Sequence, residues 1–197
     1  IRETAHLLGS AVANLVNKMS DAQVFLDCLR RHRDRLPKSG RVLELGSGQG
    51  WAACIYKRMY PKAQLIVTDI SPHAVMSLSK WERIFDVAVD KAYACKSYDI
   101  HEDDSSLDLV FCFAAAHHFL AHRRTLKEIS RVLKPSGKAM YLYEPAAPGV
   151  FYRLLRWRMN RQRTSVPEDV LIVSKIRRLA CDAGLDLHLD FHPSLIK

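Results

Sequence analysis

Apolar positions recur along this chain with two different periods. Over residues 3–18, Leu7, Leu8, Val12, Leu15 and Val16 follow helical spacing. Ser20, with Gln23 three residues on, forms a capping-box pattern. It predicts a second helix running to about Leu36, with Val24, Phe25, Cys28 and Leu29 on its apolar face and Pro37 and Gly40 ending it. The period then shortens. Apolar runs at Arg41–Leu45, Gln64–Thr68, Lys91–Ser97, Asp108–Phe113 and Lys138–Tyr143 predict five strands. Between them, residues 51–59, 71–85 and 122–133 predict helices. Ser71-Pro72 starts the second of these, and Pro135-Ser136-Gly137 follows the third. After an interruption at 145–167, residues 169–183 predict a helix stopped by Gly184, and Leu185–Phe191 alternates as a strand.

Strands alternating with helices predict an α/β fold: a doubly wound, mostly parallel sheet covered on both faces. Two N-terminal helices (1–37) precede the core (38–197), which carries a helical insert at 145–167 after strand five, all in one domain. Ligands bind such sheets at the carboxyl ends of the strands. Chemistry is therefore expected just after residues 45, 68, 98, 113 and 143.

The first of these points carries the strongest signal, Glu44-Leu45-Gly46-Ser47-Gly48-Gln49-Gly50. Glycine permits a tight turn and close backbone approach. A strand-to-helix loop also presents free amides. A dinucleotide loop shares the G-x-G pattern, but bulky Trp51 stands where its third glycine would fall. With Glu44 two residues before the first glycine, the segment resembles the first motif, E/D-x-G-x-G-x-G, of the class I S-adenosylmethionine-dependent methyltransferases. The likeness extends over roughly residues 38–144, through LDLVFCFAAAHHF and LKEISRVLKPSGKAMYLYEP.

That resemblance implies a Rossmann-like core binding S-adenosylmethionine through Glu44, Gly46, Ser47, Gly48, Gly50, Asp69, Ile70, Asp99, Ile100 and Phe113. In the family, the acid at Asp69 bonds both ribose hydroxyls, the acid matched by Asp99 contacts adenine, and Ile100 would pack on the purine. The most similar subgroup is that of the quinone-biosynthesis methyltransferases, which carry a histidine after the fourth strand. His118 matches it and is the candidate catalytic base. A role in shaping the pocket stands level with that reading. His117, Glu144, Tyr152 and Arg153 are candidate substrate contacts. His117 also suits a supporting place behind His118, and Glu144 suits a cap on its own loop. Tyr141 and Tyr143 alternate on strand five, so they are expected on one face, in the core. Methyl transfer from a sulfonium needs alignment more than a metal, and no metal site is expected. There is no Asn/Asp-Pro-Pro-Tyr/Phe segment for an exocyclic base amine and no Pro-Cys for a pyrimidine carbon.

Composition adds context. The longest apolar run, Leu107–Ala116, is too short to span a bilayer and contains Asp108. With no basic region followed by an apolar stretch at the N-terminus, a cytoplasmic location is expected. Five scattered cysteines without Cys-x-x-Cys spacing fit buried free thiols. The chain begins at Ile1, so a flanking domain in a longer protein is expected. A formal net charge of +9 points to an anionic partner. It is densest in the insert, where Arg153, Arg156, Arg158, Arg161 and Arg163 alternate with Phe151, Tyr152, Leu154, Leu155, Trp157 and Met159. As a helix this segment suits a lid, an anionic surface, or a plain solvated face packed on the core. The functional expectation is methyl transfer to a small-molecule or lipid-like acceptor, an anionic one included. RNA methylation and a non-catalytic binding module are the alternatives.

Overall fold

The computed structural model describes residues 8–161 and 169–191, the side chains of 8–18 and 159 excepted. Its centre is a five-stranded parallel sheet, β1 (Ser39–Leu45), β2 (Lys62–Asp69), β3 (Lys91–Ala94), β4 (Leu107–Phe113) and β5 (Leu133–Leu142), ordered β3-β2-β1-β4-β5. The predicted α/β class and parallel sheet are both present. The order reverses between β1 and β4, where a parallel sheet opens a crevice at its carboxyl end.

Period-two alternation explains the two-sided core. Val42, Leu65, Val67, Leu109, Phe111 and Phe113 project to one face. There they meet α1 (Leu8–Arg31), α2 (Trp51–Met59) and α4 (Leu78–Phe85) through Phe25, Tyr56 and Leu78. Leu43, Leu45, Ile66 and Val110 project to the other, where Ile129 and Val132 of α5 (His122–Val132) cover them. Stacked Phe25, Phe111 and Tyr56 rings bind the first face together, with centroids 5.9 and 5.5 Å apart. The Tyr56 hydroxyl donates to the Pro37 carbonyl, tying α2 to the chain that enters β1.

Several boundaries differ from the expected ones, each for a physical reason. The capping box at Ser20 is not used: α1 runs through it without a break and ends at Arg31, followed by a short turn at Arg33–Arg35 rather than helix to Leu36. Serine inside a helix costs well under about 1 kcal/mol, whereas a new helix end leaves several backbone groups unpaired. The predicted turns before Leu8 lie outside the described residues. The helix expected over 71–85 is two, α3 (Pro72–Met76) and α4, parted at Ser77, whose hydroxyl bonds back to the His73 carbonyl. β5 begins at Leu133 instead of Lys138, because a register shift opposite Leu107–Leu109 absorbs Pro135-Ser136-Gly137. Residues 185–191 keep alternating burial, with Leu185 and Leu187 turned inward, but they form no strand. Leu171–Ile172, expected in a helix, instead form β7, which pairs with β6 (Ala146–Ala147) ahead of α7 (Val173–Asp182). In the predicted insert, the helical part is α6 (Tyr152–Met159); residues 162–168 lie outside the described ones. No described helix is long and apolar enough to cross a membrane.

Phe111 is 1% exposed at the centre of the ring stack. Phe111→Ala should cost about 3–5 kcal/mol in urea unfolding, the usual range for deleting a packed phenyl group.

Candidate active site

Three tips of the sheet meet at the reversal point. Gly46, at φ +73, turns the chain out of β1. Its amide and that of Ser47 both donate to the Thr68 carbonyl at 2.9 Å. The Gly48 amide donates to Asp69 Oδ2 at 2.8 Å, and Oδ1 accepts from Ser71 at the same distance. The glycine turn is thus pinned to the end of β2. Gly50, at φ +83, caps α2, and a side chain there would strike Leu78 Cδ1 at 2.5 Å. Around Gly48 the space is open: a Cβ would meet nothing within 4 Å.

The loop after β4 closes on the same turn. A Cβ on Gly46 would lie 3.1 Å from the Ala115 Cβ and 3.2 Å from the Phe119 ring, so this glycine is needed for the close approach. Ala114, at φ +47, bends the chain, and Ala116–His118 form one tight turn. Glu144 governs this loop. Its Oε1 accepts from the Ala115 and Ala116 amides at 2.8 Å. Its Oε2 accepts from the His117 amide at 3.1 Å and lies 2.8 Å from His117 Nδ1. Burial alone would raise the Glu144 pKa, but the His117 bond and the Ala116 and Ala115 amides outweigh it and hold the carboxyl below its usual range.

Glu44 is the opposite case. It is 2% exposed, and its Oε2 has no hydrogen-bond partner among the described residues. Burial, reinforced by the Asp69 charge and only partly offset by the Ala53 amide, pushes it up to about 8. A carboxyl raised to about 8 is protonated near neutral pH, so its unpartnered oxygen offers hydrogen-bonding capacity rather than a standing negative charge.

The expected residues are distributed unequally. The Gly46–Gly50 turn and Asp69 converge, and the close approach at Gly46 brings the loop of His117 and His118 beside them. His118 is exposed, its ring 4.0 Å from that of buried His117. Ile70 is 73% exposed beside Asp69. Ile100 is buried under α5, its amide bonded to Glu128, and Phe113 is buried against Trp51 and Phe25, so both side chains serve the core. Asp99 is exposed beyond a turn in which its amide bonds the Lys96 carbonyl. β3 ends at Ala94, earlier than expected, and it is the Cys95 amide that reaches the Asp69 carbonyl at 2.9 Å. Cys95, overlooked in the sequence, therefore stands beside Asp69; an earlier strand end was the missing signal. Glu144 takes the loop-capping place instead of an open substrate position. Tyr143 also departs from expectation. At φ +56 it leaves the strand and stacks on Phe113, while Tyr141 meets Phe119 edge-on, so the two tyrosines do not share a face. Tyr152 donates to Asp169, and Arg153 is exposed on α6. Among the described residues no hydrogen bond or ion pair links either to the glycine turn. A hollow of about 960 Å³ runs along β5 and reaches the Glu144 clamp, lined also by Tyr141, Leu171, Ile176, Leu187 and Asp190. It includes neither the glycine turn nor His118, so amide geometry, not volume, selects the site.

The methyltransferase-domain sequence pattern matches residues 43–141, half of the chain, and spans the glycine turn, the histidine loop and most of β5. The chain belongs to the class I methyltransferase family. A methyltransferase-like protein of Schizosaccharomyces pombe, itself uncharacterized, is 37% identical over 97 residues, covering 49% of this chain and 35% of that protein. The ubiquinone/menaquinone biosynthesis C-methyltransferase of Desulfotalea psychrophila is 27% identical over 122 residues, covering 61% and 48%. The chain thus spans less than half the length of these curated relatives. In fold, the methyltransferase resembles the YcgJ protein of Bacillus subtilis, with a TM-score of 0.69 at 21% identity over 82% of this chain and 68% of the other.

The two glutamates carry opposite pH signatures. Because Glu44 is raised in the folded state, stability should fall as pH rises between about 4.5 and about 8. Glu44→Gln should flatten that slope in denaturant titrations at several pH values. Because Glu144 is depressed, its contribution is present above its unfolded pKa and lost as pH falls through the folded one. Glu144→Gln should cost about 1–3 kcal/mol at neutral pH and remove that acid-side loss.

Proposed function

We propose that this methyltransferase uses S-adenosylmethionine and transfers its methyl group to a small-molecule or lipid-like acceptor. The observation that carries the reading is the pinned glycine turn, with the Asp69 carboxylate and the free Glu44 oxygen on one side and the His117–His118 loop on the other. The residues fit the cofactor. Asp69 keeps acceptor capacity beyond its two amide bonds, enough for ribose hydroxyls. Exposed Ile70 offers an apolar surface to a purine. The open space at Gly48 leaves room for the ligand against the amides, and the unpartnered Glu44 oxygen offers a further hydrogen bond. Ser47, Gly46 and Gly50 shape the turn, with Cys95 bonded to the Asp69 carbonyl and Asp99 farther along the same loop.

When bound, the cofactor supplies a methyl carbon on a sulfonium, open to in-line attack. The chain must then hold the acceptor and take its proton. His118 is the proposed base: its exposed ring stands on a loop fixed by four contacts to Glu144 through Ala115, Ala116 and His117. His117 and Glu144 act as positioning residues, because a histidine loop that drifts by an ångström loses much of its rate advantage. Similarity to the Desulfotalea ubiquinone/menaquinone biosynthesis C-methyltransferase supports an apolar acceptor.

Titration calorimetry with S-adenosylmethionine or S-adenosylhomocysteine tests this. Asp69→Ala should weaken binding by about 1–3 kcal/mol, the usual loss for charge-assisted hydrogen bonds. His118→Ala should leave that affinity intact while lowering turnover about 100-fold or more. Failure of the unmodified chain to bind either compound would sink the proposal.

A further inference from the structure

Helix α6 does not behave like a helix packed on a core. Each of its residues from Tyr152 to Arg158 is exposed or only half-buried. Its inner side is held by the Tyr152 hydroxyl, which donates to Asp169, and by Arg156, which contacts the same carboxylate. That bond sets the helix's rotation. At 100° per residue, Leu154 and Trp157 then fall together on the side away from Tyr152. Both are 61% exposed, and Val150 in the preceding turn is 82% exposed. Arg153 borders this stripe on one side and Arg158 on the other, and Arg161 lies over the Trp157 ring at 5.6 Å. The packed face considered in the sequence is therefore turned outward at Leu154.

We propose that this outer face of α6 docks on an anionic lipid surface. An apolar stripe flanked by arginines matches the headgroup boundary: the aliphatic and indole groups enter the acyl layer, and the guanidinium groups meet lipid phosphates. A protein partner would have to place a carboxylate opposite each flanking arginine, whereas a lipid surface presents phosphates at any spacing. RNA is also a poorer match, because the middle of the stripe is aliphatic at Val150 and Leu154 and Arg161 already lies over the Trp157 ring. The position on the fold favours the same partner. α6 follows β5 directly through Pro145–Ala147, so it belongs to the carboxyl end of the sheet. Leu120 and Tyr143, in the loops after β4 and β5, are also exposed there. The inference does not depend on the cofactor or the reaction.

Co-sedimentation with vesicles tests it. The unmodified chain should partition onto vesicles containing phosphatidylglycerol at about 0.1 M salt, much less onto pure phosphatidylcholine, and binding should weaken as salt rises. The double variant Leu154→Ser with Trp157→Ser should lose about tenfold or more of that partitioning. Its melting temperature should be unchanged, since both side chains are exposed. Quenching of tryptophan emission by brominated lipid should largely vanish in Trp157→Phe while binding persists. The idea is overturned if the chain ignores anionic vesicles, or if the double variant binds them as well as the parent does. It is equally overturned if RNA strips the chain from vesicles and binds the double variant unchanged. Vesicle binding by a chain that fails to bind S-adenosylmethionine would leave this inference standing and remove the proposed reaction alone.

Discussion

The end of β2 holds the whole site in place. The Thr68 carbonyl takes two amides of the glycine turn, and the Asp69 carboxylate takes a third. These bonds consume groups that a strand end would otherwise leave to water. They also hold Gly46 where the Ala115 and Phe119 side chains can come within van der Waals reach of it. Remove that anchorage and the cradle, the histidine loop and the start of α2 lose their common reference. Parallel pairing of β1 with both β2 and β4 supplies the rigidity behind it.

Two buried glutamates show how the surroundings, not burial, decide charge. Both carboxyl side chains are almost hidden from solvent. Glu144 receives three backbone amides and an imidazole, so it remains ionised and organises a loop. Glu44 has one oxygen unpartnered, and its pKa climbs to about 8. The first works as a structural clamp; the second holds an unsatisfied group two residues before the glycine turn. An unsatisfied buried acid is costly in an isolated protein and is tolerated where a ligand can complete it.

The sheet's carboxyl end also carries most of the chain's irregular backbone and much of its exposed apolar surface. Positive φ at Ala114 and Tyr143 redirects the loops after β4 and β5, and α6 rises from the second of these. Tyr152 ties α6 to Asp169 on one side, and Leu154 and Trp157 face outward together with arginines. The site and the basic helix thus occupy the same end of the fold by topology, since both grow from strand ends that a parallel sheet gathers on one side.

Strand positions, the glycine turn and its acid at Asp69 were legible in the residues because they are local. A period of two marks a strand, and a Gly-x-Gly-x-Gly turn declares its own backbone needs. Three-dimensional packing alone decided the rest. The Ser20 cap was overridden by a helix whose later half is buried through Phe25 and Leu29. Glu144 found its partners 27 to 29 residues away, across two strands. Cys95 took the place beside Asp69 because β3 stopped three residues early. Leu185 and Leu187 kept a strand's alternation without a strand's ladder. Periodicity records which side of a segment turns away from water; it does not record which distant group meets it there, and charge, loop geometry and helix orientation depend on that meeting.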